Sequence, residues 1–137
     1  MTDSPDPAAP YRRRRQLDTG PTYTTGAAMT AYALAQVHSV ERCPDIVEYL
    51  ERIDDTLDAF GGRSVVHRGT FENPEGSWGP LGLILIEFPD YERARAWYDS
   101  PAYREILPLR TRHMVADVII AEGVPAGYRG ADSLKEH

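Results

Sequence analysis

One stretch near the middle of the chain combines a buried strand with two helices, and it constrains the fold more than any other. Residues 81–88 form an apolar run of strand length, typical of a nearly fully buried β-strand. Pro89 ends this strand because it has no N–H to donate to a sheet, and Asp90 can cap the helix that follows. Ser100 and Pro101 then begin a second short helix. The other elements must pack around this strand–helix–helix unit.

Hydrophobic periodicity predicts three further strands and one more helix. A strand is expected over 32–40, where apolar residues occupy both faces. An amphipathic helix is expected from Pro44, and the glycines at 61–62 end it. Strands over 63–71 and 117–122 complete the pattern. The apolar stripe predicted for the helix consists of Ile46, Leu50, Ile53, Leu57 and Phe60.

The elements follow the order strand, helix, strand, strand, helix, strand, with Pro108 expected to break the last helix. This order is that of the ferredoxin-like βαββαβ fold, an α+β arrangement in which both helices cover one face of a four-stranded antiparallel sheet. Because the strands are too apolar for the other face to stay in water, we expect a homodimer packed sheet against sheet. The domain is expected over 29–124, between a disordered or extended N-terminal tail, 1–28, and a C-terminal tail, 125–137.

Composition argues against several kinds of partner and cofactor. A formal net charge of −6 disfavours nucleic-acid binding, because an acidic surface repels phosphate. No apolar run has the length of a membrane span, and the single Cys43 allows no internal disulfide, as expected of a cytoplasmic protein. The histidines lack zinc-site spacing, so we predict no metal and no cofactor; haem held by His38 or His113 is a weaker alternative. The run Arg12–Arg15 is interpreted as solvated charge rather than as a contact patch.

Several short motifs resemble those of one bacterial family. They are Tyr32-Ala33-Leu34-Ala35, Gly61-Gly62-Arg63, Glu75-Gly76-Ser77-Trp78, Ile86-Glu87-Phe88-Pro89 and the run from Ala94 to Tyr103. Over residues 30–124 the chain resembles the domain-of-unknown-function family 1330, which implies the dimeric α+β-barrel fold and no settled reaction. It departs from the common pattern at Ala102, usually an acidic residue, and at Gln36 and His38, where polar residues vary. Wider barrel relatives include cofactor-independent monooxygenases, lactone isomerases, polyketide cyclases and haem enzymes, and fold alone does not choose among them.

Two histidines and one carboxylate are candidates for chemistry. His38 and His67 flank the central strand, near Gly82 and Ile84 respectively, and an imidazole with its ordinary pKa of about 6.5 suits a general base. The alternative is that they are structural or solvent-facing. Glu87 is either a buried functional carboxylate or the salt-bridge partner of an arginine, Arg63 or Arg110, at the sheet end or dimer seam.

The remaining candidates would bind the ligand. Arg110, with Arg112 nearby, would hold a carboxylate or enolate through paired hydrogen bonds, or it is an ordinary surface charge. Trp78, Tyr98 and Tyr103 would wall a flat apolar pocket, with Arg63 as a further ligand-binding residue. Trp97 and Tyr98, at helical spacing, are more typical of core positions, so Trp78 at a loop–strand junction is the better pocket candidate.

Two functional hypotheses follow from these candidates. The first is a small cofactor-independent enzyme that acts on a flat polar, aromatic or polyketide-like molecule by proton transfer or oxygen chemistry. His38 or His67 would be the base and Arg110 the oxyanion partner. The second is a non-catalytic dimer that binds a small metabolite or a partner protein. The sequence leaves open the ligand, the strand register, which histidine is buried and whether Met29 is the translation start.

Overall fold

The computed structural model describes residues 29–136, whose helices and strands follow the predicted order. The strands are β1 (Ala31–Val40), β2 (Arg63–His67), β3 (Leu83–Phe88) and β4 (Met114–Glu122); the helices are α1 (Pro44–Asp58), α2 (Tyr91–Asp99) and α3 (Pro101–Thr111). All pairings are antiparallel and the strand order is β2-β3-β1-β4, so the ferredoxin-like α+β fold is confirmed.

The two ends of the chain are described separately. The tail expected over 1–28, with its run Arg12–Arg15, lies outside the described residues. The segment that follows β4 ends in a 3-10 helix, Gly130–Glu136. In the described part of the chain, none of the helices has the length and apolarity that a membrane span needs.

The signals at the helix ends act as predicted. The carboxylate of Asp90 accepts a hydrogen bond from the backbone N–H of Arg93 at 2.8 Å. The hydroxyl of Ser100 accepts one from the N–H of Tyr103 at 3.2 Å. Each bond satisfies an amide donor that the first turn of a helix leaves free. After α1, Gly61 takes a φ of +73°, in the left-handed region that favours glycine.

The prediction that Pro108 ends the last helix is wrong. Helix α3 continues to Thr111, and the N–H of Arg112 still donates to the carbonyl of Pro108 at 3.1 Å. A proline inside a helix removes its own N–H donor, and buried Ile106 and Arg110 on either side hold this turn against the core. The continued helix therefore carries Arg110 inward.

The predicted strand ends are less accurate than the helix starts. β2 ends at His67 rather than at 71, because Arg68 has a φ of 52°, in the left-handed region. β3 begins at Leu83 rather than at 81, because Gly82 has a φ of +74°. β4 begins at Met114, three positions before its predicted start at 117.

The core lies on the face of the sheet that the helices cover. Its buried cluster includes Ala31 and Ala33 of β1, Phe88 of β3, Trp97 of α2 and Tyr103 of α3. The rings of the last two are 4.1 Å apart between centroids.

The other face of the sheet, which we call the helix-free face, is not covered in a single copy. Leu83 and Leu85 of β3 are only half-buried there, while Val115 and Ile119 of β4 are 60% and 56% exposed. The expectation of a nearly fully buried β3 is therefore wrong for the single chain.

Candidate functional site

A cavity lies between the sheet and the helices. The space in which a water molecule can be centred has a volume of about 90 Å³. Its floor is a row of paired residues across the four strands, namely His67, Ile84, Ala35 and Val118. The helices contribute Ile46, Tyr49, Ile53, Tyr98, Tyr103 and Arg110 to its walls.

The cavity follows from small side chains on a central strand. Ala31 and Ala33 are buried in the core cluster, where the large side chains of Phe88 and Trp97 fill the space. The ring centroids of Phe88 and Trp97 are 5.4 Å apart. Ala35, next along the same face, is half-buried and lines the cavity. Where no large side chain reaches an alanine in a close-packed interior, open space remains.

Arg110 is a buried charge at the wall of the cavity. It is 8% exposed, and its guanidinium carbon lies 5.8 Å from the centre of the Tyr49 ring. Burial lowers the pKa of Arg110, but the adjacent phenols of Tyr103 and Tyr49 outweigh burial and leave it raised above its ordinary value. Among residues 29–136, no carboxylate lies within ion-pair distance of Arg110. The guanidinium is therefore charged and has no anionic partner in this part of the chain.

Two buried tyrosines form a hydrogen-bonded pair beside this arginine. The hydroxyls of Tyr49 and Tyr103 are 2.6 Å apart, and the rings meet edge to face. Burial, and then the neighbouring Tyr103, raise the pKa of Tyr49 well above its ordinary value, against a smaller lowering by Arg110. Tyr49 therefore stays protonated and acts as a hydrogen-bonding group, not as a base.

Sequence reasoning missed Tyr49. The predicted stripe of α1 included Leu50, which lines the cavity although it is 44% exposed, but it left out Tyr49, which is buried. The signal was present, since Ile46, Tyr49 and Ile53 also step by three and four along the helix.

The two histidines predicted as bases lie on opposite faces of the sheet. His67 pairs with Ile84 and lines the cavity, because an extra residue at Val65 forms a bulge in β2 just before it. His38 is itself the extra residue of a bulge in β1, and its Nε2 is 2.9 Å from a carboxylate oxygen of Asp117. The predicted placement of His67 near Ile84 is confirmed by the pairing of these two residues. The placement of His38 near Gly82 stays a prediction; the N–H of the neighbouring Val37 donates to the carbonyl of Gly82 at 3.5 Å.

Three other predicted site residues lie away from the cavity lining. Glu87 and Arg63 form an ion pair of 2.8 Å on the helix-free face, which is the salt-bridge alternative for Glu87. Trp78 donates its ring N–H to the carbonyl of Gly82 at 3.2 Å and is not part of the lining. The structure thus brings His67, Arg110, Tyr98 and Tyr103 to one cavity, and leaves His38, Glu87, Arg63 and Trp78 elsewhere.

A second polar cluster lies beyond Val40 and Met114. The imidazole of His113 bridges Glu41 and Asp45, with both nitrogen-to-oxygen distances 3.0 Å. Hydrogen bonds first to Glu41 and then to Asp45 raise the pKa of His113 above its ordinary value. This bridge joins the β1–α1 connection to the α3–β4 connection. Within the described range, no group of three or more His, Cys, Asp or Glu residues is arranged to hold a metal ion.

Comparison with known proteins identifies a family and a fold. The profile of a family described as a domain of unknown function (DUF1330) matches residues 30–124. A search of curated proteins finds no match.

Among solved structures, RPA0582, a protein of unknown function from Rhodopseudomonas palustris, is 16% identical with a TM-score of 0.53, over 83% of this chain and 91% of that one. Its methylated form is 18% identical with a TM-score of 0.54, over 93% and 100%. SnoaB, a cofactor-independent oxygenase from Streptomyces nogalater, is 11% identical with a TM-score of 0.43, over 74% and 97%. At these identities the similarity to RPA0582 shows the fold alone, and the TM-score of SnoaB is too low to support any inference.

Proposed function

This chain belongs to the DUF1330 family, and we propose that it is a small enzyme that binds an organic molecule of single-ring size in the cavity and transfers a proton there. The proposal is carried by one observation: both His67 and Arg110 line the same largely apolar cavity. Apolar pockets with a few convergent polar groups are the usual form of small-molecule sites.

The size of the cavity limits the ligand. One water molecule needs about 10–15 Å³ of such space, so the 90 Å³ cavity holds roughly six to nine water-sized atoms. A single ring with one substituent fits this space, whereas a multi-ring polyketide exceeds it. We therefore narrow the expected ligand to a single ring or a chain of similar size.

The proposed chemistry uses His67 as a neutral base and Arg110 as a cation in turn. His67 takes a proton from the ligand, since a neutral imidazole nitrogen accepts protons as a general base. The negative charge left on the ligand is stabilised by Arg110, whose raised pKa keeps it protonated. With strands about 4.8 Å apart, His67 lies about 10 Å from Ala35 across the floor of the cavity. Reaction of the resulting anion with O₂ would begin from the same step.

A non-catalytic binding protein is the second candidate, and one observation favours it. In the region from 29 to 136, the imidazole of His67 has no hydrogen-bond partner, and the residue is exposed. A general base is normally oriented by a further group. Binding without proton transfer would therefore fit the geometry of His67.

Exchange of solvent deuterium into a small ketone separates the two candidates. The protein is incubated in D₂O with 2-oxobutanoate or cyclohexanone, and deuterium next to the carbonyl is followed by NMR. We expect His67→Ala to slow the catalysed exchange about a hundredfold or more. His38→Ala is the matched control, since His38 lies on the opposite face and should leave exchange unchanged. Equal rates for the wild type and His67→Ala would refute the assignment, and ligand-induced shifts without exchange would favour the binding protein.

We also propose that two copies pair through their helix-free faces as a homodimer. This face presents Tyr32, Leu34, Leu83, Leu85, Val115 and Ile119, of which the last two are the most exposed. A contiguous apolar patch of this kind marks an interaction surface, and a second copy offers the same surface by two-fold symmetry. A reducing bacterial cytoplasm is the expected compartment, since the single Cys43 allows no internal disulfide.

A further inference from the structure

Arg110 holds a positive charge where such a charge is unfavourable. The residue as a whole is only 8% exposed, and the described part of the chain offers no carboxylate within ion-pair distance to neutralise its charge. An unpaired buried charge destabilises a folded protein because it loses its hydration. The positive charge of Arg110 therefore needs a compensating group nearby.

The surroundings of Arg110 compensate only in part. The face of Tyr49 lies 5.8 Å away, and the sulfur of Met114 lies 4.0 Å from one guanidinium nitrogen. Aromatic faces and sulfur attract a cation weakly, but they carry no net negative charge. The hydrogen bond between Tyr49 and Tyr103 uses only one of their two phenolic O–H groups as its donor. The other O–H group can therefore donate to a third atom.

We propose that the ligand carries a permanent carboxylate, which Arg110 binds through two parallel hydrogen bonds while the tyrosine pair donates a third. The planar fork of a guanidinium matches a carboxylate in this way. The rest of the ligand lies over the apolar floor of Ile84 and Ala35 toward His67. This inference rests on the proposed function, because it names the ligand class of the same cavity. The apolar floor favours a ring-bearing carboxylate over a free inorganic anion.

The test compares benzoate with benzyl alcohol, which has a similar shape and no charge, and with inorganic phosphate. Binding is measured by NMR titration of the full chain, in the wild type, Arg110→Met and Arg104→Gln. Arg104 is the matched control, since it lies on the same helix over a cavity tyrosine, 5.6 Å from the Tyr98 ring, but is exposed. We expect the wild type and Arg104→Gln to prefer benzoate over benzyl alcohol by about tenfold or more, and Arg110→Met to lose that preference.

A second readout distinguishes ligand binding from a structural role. Methionine keeps most of the bulk of arginine without its charge, so Arg110→Met should raise the melting temperature of the unliganded protein. A lower melting temperature would mean that the guanidinium holds the fold together, and would count against the proposal. If Arg110→Met does not fold, Arg110→Lys retains the charge without the fork and should still weaken benzoate binding.

The outcomes separate this inference from the function on which it rests. Benzyl alcohol or phosphate binding as tightly as benzoate, or benzoate binding equally to Arg110→Met, would overturn the carboxylate and leave binding in the cavity intact. If neither ring compound binds the wild type, the cavity does not take a molecule of this size, and the proposed function fails with the inference.

Discussion

Filling the cavity from its floor should stabilise the protein and weaken ligand binding together. Ala35→Val adds two methyl groups at a half-buried position that lines open space, on a strand where valine is favoured. At about 0.8 kcal/mol for each buried methyl-sized group, full burial would contribute up to about 1.6 kcal/mol to the free energy of unfolding. For a domain of this size, that corresponds to a rise of several degrees in melting temperature.

The matched control lies on the same face of the same strand. Ala31 is fully buried in the packed cluster with Phe88, so Ala31→Val has no space to enter. Overpacking of this kind costs about 1–3 kcal/mol. Chemical denaturation should therefore give changes of opposite sign for Ala35→Val and Ala31→Val.

Two results would refute this reasoning. If Ala35→Val destabilises the protein as much as Ala31→Val does, the space beside Ala35 is not open. If Ala35→Val stabilises the protein but leaves benzoate affinity unchanged, the ligand does not lie over this part of the floor. Calorimetric melting and the benzoate titration together distinguish these cases.

Three further predictions concern the interface, the polar cluster and the bulge. Ile119→Lys should convert a sedimenting dimer to a monomer, whereas Val47→Lys, an equally apolar and exposed position on α1, should not; a wild type that sediments as a monomer would refute the interface. Because folding raises the pKa of His113, the bridge stabilises the fold fully below about pH 6.5, and this stabilisation is lost as the pH rises through the raised pKa. The melting temperature should therefore fall over that pH range in the wild type and not in His113→Gln. Deleting Val65 removes only the extra residue, so His67 should keep its place opposite Ile84 and exchange should persist. If β2 of the wild type were regular at Val65, the same deletion would turn His67 to the other face and abolish exchange.

Local signals in the sequence were sufficient for the fold. The strand and helix order, the caps at Asp90 and Ser100, and the left-handed glycine at Gly61 depend on neighbouring residues, so single-chain patterns contain them. Pro108 shows where such rules fail: packing of the surrounding turn on the core outweighs the one hydrogen bond that proline removes.

The site was less accessible, because its contacts join distant parts of the chain. The bond between Tyr49 and Tyr103 spans 54 positions, and that between His113 and Glu41 spans 72. The predicted stripe took Leu50, which lines the cavity but is 44% exposed, and left out the buried Tyr49 beside it, which also lines the cavity. No periodicity in either segment specifies which distant side chain it meets.

The bulge in β2 explains why the histidines separate. In a regular strand, side chains alternate between faces, so His67 would share the face of Arg63, four positions earlier. The extra residue in β2 shifts this alternation by one, which keeps Arg63 on the helix-free face and turns His67 to the cavity. The extra residue in β1 is His38 itself, which bonds to Asp117 on the helix-free face. One sheet therefore presents His67, the proposed base, to the cavity on one face and the hydrogen-bonded His38 on the helix-free face, and this division depends on the single inserted position in β2.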